Sequence, residues 1–469
     1  MAPPRMSVCK SFSSLFKGSS LKFGKSWVSN QHRRGLYDVI IVGGGMVGSA
    51  LACALGSDSK LQDKKILVLE AGDKVKLEEN LGLYSNRVST ISPGSQNLLE
   101  NIGAWKHIEN MRAKSFRRMQ VWDACGDGYV TFEGSDDLQH EVVMGHVVEN
   151  NVLVKALELQ LEELKSKIDV LYKTKLKEIQ IPWDNENCNW IEIALEDGQT
   201  LSTRLLVGAD GHNSFTRKQA DVECITYDYK QNGVVATLGI SETTDNNVAW
   251  QRFLPNGPIA LLPLTTNKSS LVWSTTTEEA MKLVSLPERQ FVETLNEALT
   301  GDLENNSISR MASHLMHNAI STIQPDYLGL QMPPKIEYVE ENSLASFPLG
   351  LNQASYYVKH RLALIGDAAH RIHPLAGQGV NLGFSDVQCL VKELRLAAVD
   401  GQDIGSLEHL LKYETARQRE VTLMMAATHG LNSLFSTSFI PLVVLRNLGF
   451  QLTNALNPLK KQIVQYAMK

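Results

Sequence analysis

The sequence predicts an α/β protein in which a Rossmann-like dinucleotide-binding domain is interrupted by a second, β-sheet domain and followed by a C-terminal helical region. Three observations predict it. Tyr37-Asp38-Val39-Ile40-Ile41-Val42 runs as a strand into a GxGxxG turn and a helix. Two later apolar runs, at 205–207 and 362–365, break into Asp-containing turns. Between them, Gly233 to Ile240, Ala249 to Leu254 and Ser270 to Thr275 read as strands of one sheet.

The first element carries its own physical logic. Gly43 permits the tight turn, Gly45 lets backbone approach a pyrophosphate with no Cβ in the way, and Gly48 lets helix and strand pack closely. The N–H groups opening the helix Ser49-Ala50-Leu51-Ala52-Cys53-Ala54-Leu55 then face the phosphates. A second buried strand, Lys65 to Leu69, ends in Glu70, whose carboxylate can accept hydrogen bonds from ribose hydroxyls. This completes a dinucleotide half-site, and the motif by itself does not separate FAD from NAD.

The second element is Leu205-Leu206-Val207-Gly208-Ala209-Asp210-Gly211, with Ser214 and Arg217 beyond the turn. The third is Leu362-Ala363-Leu364-Ile365-Gly366-Asp367, followed by His373-Pro374-Leu375-Ala376-Gly377-Gln378-Gly379-Val380-Asn381. The spacing of Val387, Leu390, Val391, Leu394 and Ala398 is helical, so Gly377 to Asn381 should lie near a helix N-terminus. Such a place suits the partial negative charge of a reduced flavin ring.

The chain has 469 residues, and its 43% hydrophobic content is enough for a core of several subdomains. Residues 1–35 hold seven Lys or Arg, eight Ser and no acid, the composition of a mitochondrial presequence or, more plainly, of a basic tail. Taking those seven from 46 basic residues leaves 39 against 51 acids, a formal charge of −12 that disfavours nucleic acid as a partner. The six cysteines include no CxxC pair, so they read as free thiols with no metal site among them. No run approaches the ~20 apolar residues of a membrane span. From Phe439 onward Ile440, Leu442, Val443, Leu445, Leu448, Leu452 and Leu456, with Lys460 and Lys461, suit either a helix on a membrane surface or one packed on the flavin domain.

The three fingerprints, in this order, resemble the class A flavoprotein monooxygenases of the para-hydroxybenzoate hydroxylase family, from about Tyr37 to the C-terminus. The resemblance implies FAD as cofactor, with Asp367 on its ribityl chain and the loop from Pro374 through Gly377, Gln378 and Gly379 to Asn381 against the isoalloxazine ring. It also implies flavin or reduced-nicotinamide contacts for Asp210, and a place near the flavin for Arg87 in Ser85-Asn86-Arg87-Val88-Ser89. Relatives often carry an Arg where this chain has Asn150-Asn151, so Asn151 is not assigned a flavin contact. No catalytic proton-transfer residue is assigned; His370, His373, Arg252 and Gln378 are polar groups to inspect, with a hydrogen-bonded core role open for both histidines.

Tyr84 to Ser89, Trp250 to Pro255, Gly257 to Leu264 and His373 to Gly379 are most similar to the ubiquinone-biosynthesis branch of that family. That branch implies hydroxylation of a polyprenylated 4-hydroxybenzoate-type ring at carbon 5, with carbon 1 of a later intermediate left open, by O2 activated as a flavin hydroperoxide. It implies electrons ultimately from NAD(P)H, directly or through ferredoxin and its reductase. Other coenzyme Q biosynthesis proteins, peripheral membrane contact and the matrix side of the inner mitochondrial membrane follow from the same likeness. The alternatives are a flavin enzyme of this fold with another apolar substrate and a non-catalytic flavin-fold subunit of a biosynthetic complex. The expected organisation is a presequence over 1–35; an FAD-binding domain from 36–110, 145–217 and 345–400; an excursion over 111–144; a substrate-binding sheet domain over 218–344; and a helical region over 401–469.

Overall fold

A computed structural model describes residues 35–77, 83–126, 128–134, 142–182, 190–241, 245–301, 332–437 and 439–468. The presequence expectation, apart from Gly35, therefore lies outside the described residues.

Two large sheets and a three-stranded one of Val88–Ile91, Gly145–Glu149 and Lys114–Phe116 organise the described residues from Leu36 onward. In the first, Leu36–Val42 lies between Thr200–Gly208 and Ile66–Leu69, with Leu362–Leu364 and Ile168–Leu171 beyond them, all five parallel. Ile40 pairs with both Leu206 and Leu67. Strands covered on both faces need continuous apolar runs, and Val39–Val42 and Ile66–Leu69 are buried throughout. The helix Met46–Ser57 packs against the helices Asn150–Glu163 and Gly379–Val399. Together they form the largest core cluster, around Ile40, Leu51, Leu153 and Phe384.

The second sheet is mainly antiparallel. Its order runs His370–Arg371, Ala345–Ala354, Cys224–Ile240, Lys268–Thr276, Gly257–Pro263, Val248–Leu254, Arg118–Asp123, Tyr129–Glu133. The three stretches read as strands of one sheet do pair in one sheet, and it recruits chain from both sides of 218–344, through 118–133 and 345–354. Trp250, Leu254, Ile259, Leu261, Leu271 and Trp273 turn to its back face, against the helices Thr277–Ser285 and Glu288–Thr300. Alternation then sends Ala249, Gln251, Phe253, Ala260, Leu262 and Val272 to the front.

The C-terminal helical region is present as Leu407–Phe435, Ile440–Ala455 and Asn457–Ala467. None of the described helices is long and apolar enough to cross a membrane. Ile440–Ala455 packs on the second sheet, not on the first, and with its polar side inward. Arg446 Nε and Nη2 donate to Asp123 at 2.6 and 2.9 Å, a fully buried pair, while Asn447 accepts from Gly128 N at 2.6 Å. Gln451 and Asn454 are buried beside them, whereas Phe439, Leu445, Leu452 and Leu456 are 62, 59, 46 and 50% exposed.

Candidate active site

Parallel strands deliver their C-terminal ends to one edge, and that edge gathers the motifs. Gly43 N donates to Leu69 O (2.8 Å), Ala209 N to Val42 O (2.8 Å) and Ile365 N to Gly208 O (3.0 Å), so the three fingerprints and Glu70 follow adjacent strands. Ligands of open α/β sheets bind at such an edge.

The first turn needs its glycines. Gly43 has φ +105°, and a Cβ on Gly48 would collide with the Gly43 carbonyl oxygen, whereas a Cβ on Gly45 would meet nothing within 4 Å. Two glycines thus close the turn and the third opens a surface for a ligand. Glu70 is fixed beside it, accepting from Gly44 N and Gly72 N at 2.6 Å each.

Asp210 organises its own turn: it accepts from Ser214 Oγ (2.5 Å), Thr216 N (2.9 Å) and Thr216 Oγ1 (3.1 Å). Arg217 Nη1 donates to Ala368 O at 2.7 Å and Nη2 to His212 O at 2.8 Å, tying the second fingerprint to the third.

The third fingerprint borders a cavity of about 620 Å³ lined by Asp367, Pro374, Leu375, Gly377, Gln378 and Asn381, with Arg87, Asn150, His212 and Arg371 on the same wall. Gly377 is left-handed (φ +59°), and a Cβ there would strike Thr90 Oγ1. Asn381 clamps this loop, its Nδ2 donating to Thr90 O (2.9 Å) and its Oδ1 accepting from Ser92 N (3.2 Å). Gly379 opens the helix Gly379–Val399 with free space at its Cβ position. The Asp367 carboxylate has no hydrogen-bond partner among the described residues; walled by protein, it is held above the usual range, with His370, Arg371 and His212 pulling the other way. Gly43, Gly45, Gly48, Glu70 and Asp210 are not among the lining residues and belong to the neighbouring strand ends.

Of the four polar groups to inspect, only Gln378 lines the cavity. Arg252 turns to the back face, donating to Ala298 O (3.0 Å) and Gly301 O (2.7 Å). His370 Nε2 lies 2.6 Å from Asp386, which also accepts from Gly366 N (2.8 Å) and Arg417 Nε (2.7 Å). Burial pushes the Asp386 carboxyl up, but His370 and Arg417 outweigh it and leave it below the usual range. This anion pins the Gly366-Asp367 turn from behind. His373 is fully buried, 3.3 Å from Gln231 Oε1, and burial with His429 nearby lowers it to about 4. Asn150 lines the cavity and accepts from Ser89 Oγ (2.7 Å); Asn151 does not line it and accepts from Val152 N.

Sequence reasoning expects a substrate-binding sheet over 218–344 but does not single out which of its residues form the floor. Val235, Ala249, Gln251, Pro258, Ala260, Leu262, Val272 and Ser274, from the front of the second sheet, close the same cavity. All seven residues of Val248–Leu254 are buried, so polarity gave no contrast between its faces; only counting by two from Trp250 separates them. Asp386 and the Asp123–Arg446 pair are joined across 31 and 323 positions, a distance no local pattern carries.

Open backbone at Gly45 and Gly379, and a cavity-lining carboxylate at Asp367 with no hydrogen-bond partner among the described residues, fit an extended dinucleotide. Residues 36–322 and 332–428 match the FAD binding domain family. The chain is 52% identical to the mitochondrial ubiquinone biosynthesis monooxygenase COQ6 of Xenopus tropicalis, over 92% of this chain and 94% of that one. It is 50% identical to the human protein of the same name, over 92% and 93%. Among solved structures, p-nitrophenol 4-monooxygenase PnpA from Pseudomonas putida DLL-E4 shares the fold at TM-score 0.67 and 16% identity, covering 92% of this chain and 97% of its own. PqsL from Pseudomonas aeruginosa does so at 0.65 and 21%, covering 88% and 100%. The chain belongs to the COQ6 family of ubiquinone biosynthesis monooxygenases, FAD-dependent enzymes of the class A flavoprotein fold.

Proposed function

We propose that this chain hydroxylates the aromatic ring of a polyprenylated 4-hydroxybenzoate-type phenol at carbon 5, using O2 and two electrons that originate in NAD(P)H. One observation carries the reading: the third fingerprint loop and an almost wholly apolar sheet face line a single cavity. A ring bearing a long hydrocarbon chain matches that floor, and FAD matches the loops opposite.

FAD supplies the activation of O2 that no side chain can provide. Gly43, Gly45 and Gly48 would hold its pyrophosphate, Glu70 its ribose, Asp367 its ribityl chain, and Pro374 to Asn381 would face its ring, with Arg87 and Asp210 nearby. The chain's own work is to hold the ring against that loop and exclude water, which the clamped Gly377 to Asn381 segment and the apolar floor favour.

The relatives are named mitochondrial, and we place this chain on the matrix side of the inner membrane. The outward apolar side of Ile440–Ala455 supports peripheral contact with the bilayer that holds so greasy a substrate. Electron delivery through ferredoxin and its reductase, and association with other coenzyme Q biosynthesis proteins, belong to the same proposal. Lipid extracts from cells lacking the protein test it: accumulation of a polyprenyl hydroxybenzoate is expected, and normal ubiquinone with no such intermediate would overturn it.

A further inference from the structure

The cavity floor is apolar with two exceptions, and neither has a side-chain partner among the described residues. Gln251 is only 7% exposed and Ser274 2%. Both line the cavity, and neither side chain hydrogen-bonds to a described residue. Gln251 stands in a row with Ala260, Val272 and Val235, which pair across four strands; Ser274 is two residues along from Val272. Their polar atoms are open to the cavity, so a ligand seated there can supply the hydrogen bonds that no described residue makes.

The surroundings give the site a direction. Phe253, two residues from Gln251, packs in a cluster with Leu375 of the loop opposite. Ala249, two residues the other way, packs with Phe116, Met144 and Leu264, flanked by Met119, Leu262 and Met468. One end of the floor thus abuts the third fingerprint, and the other is greasy and rich in methionine, whose flexible side chains accommodate a mobile chain.

We propose that Gln251 is the residue that recognises the substrate's phenolic oxygen, with Ser274 taking a second ring oxygen substituent and the prenyl chain running toward Met144 and Met468. A carboxamide offers both an acceptor and two donors, so it serves phenol and phenolate alike, which a carboxylate or an ammonium would not. The neutral side chain also leaves the charge of the ring to the flavin chemistry. The inference rests on the functional reading above and adds the residue that orients the ring.

The test uses the FAD-loaded full chain and compares a farnesylated 4-hydroxybenzoate with the same compound lacking the 4-hydroxyl, reading dissociation constants from the change in flavin absorbance. Wild type should prefer the phenol about tenfold, and Gln251→Met, which conserves volume, should bring the ratio to about one. A packing role would weaken both ligands equally and leave the ratio. Gln251→Glu provides a second arm should the Met variant load poorly: its affinity for the phenol should fall as pH rises and the ring ionises, while wild type holds. A wild type that binds neither compound overturns the functional reading and this one with it. A wild type with the preference and a Met or Glu variant that keeps it overturns the Gln251 assignment alone.

Discussion

The two walls of the cavity are built by opposite means. The loop wall and the strand-end turns beside it are made of backbone: glycines at Gly377 in the wall and at Gly43 and Gly48 in the neighbouring turn, where any side chain would collide, and polar clamps from Asn381, Arg217 and Asp386 that fix these loops. The floor is made of side chains on regular sheet strands, where the backbone is ordinary and the choice of residue carries the specificity. Changes to the loop wall should therefore act on the cofactor and on stability, and changes to the floor on the substrate alone.

The largest effect should come from the tightest backbone. Gly48→Ala drives a Cβ into the Gly43 carbonyl; FAD affinity should fall by at least about a hundredfold, read by flavin fluorescence on titration, since a misplaced turn forfeits several phosphate hydrogen bonds. Retained FAD with normal affinity would show that the turn tolerates the Cβ and does not set cofactor binding. Next, Asp386→Ala strips the buried carboxylate from Arg417 and His370 and leaves Arg417 only its partly exposed pair with Glu420, so stability should fall by about 3 kcal/mol in urea unfolding.

A pH effect of about 3 kcal/mol should follow from His373. Its folded value of about 4 lies below the usual 6.5, so the unfolded chain takes up the proton first and stability falls as pH drops from about 6.5 to about 4. Above 6.5 the contribution is flat. Unfolding midpoints across that window should show the ramp in wild type and a shallower one in His373→Gln; parallel curves would remove His373 as its source.

The smallest and most selective effect belongs to the floor. Ala260→Leu, beside Gln251, should raise KM for a prenylated phenol by about tenfold through overpacking while leaving FAD affinity within about twofold. Equal losses in both would show that the walls are not independent.

The same contrast decides what the sequence could disclose. Glycines at obligatory turns and acids at strand ends are local signals, so Gly43 to Gly48, Glu70, Asp367 and the Pro374 to Asn381 loop could be read directly and folded to one edge. Gln251 was overlooked beside the more conspicuous Arg252, because a strand buried on both faces hides its parity. The tail posed the reverse problem: Ile440–Ala455 reads as a greasy helix, yet its buried side is Arg446, Asn447, Gln451 and Asn454, anchored to Asp123 and Gly128 far back in the chain.

In the function proposed above, one cavity brings FAD and a prenylated phenol together for ring hydroxylation. The most direct measurement is a single turnover of chemically reduced, FAD-loaded protein with a farnesylated 4-hydroxybenzoate under isotopically heavy dioxygen, with the product analysed by mass spectrometry. One heavy oxygen atom on ring carbon 5 is predicted; substrate recovered unchanged while the flavin reoxidises, or an oxygen derived from water, would contradict it.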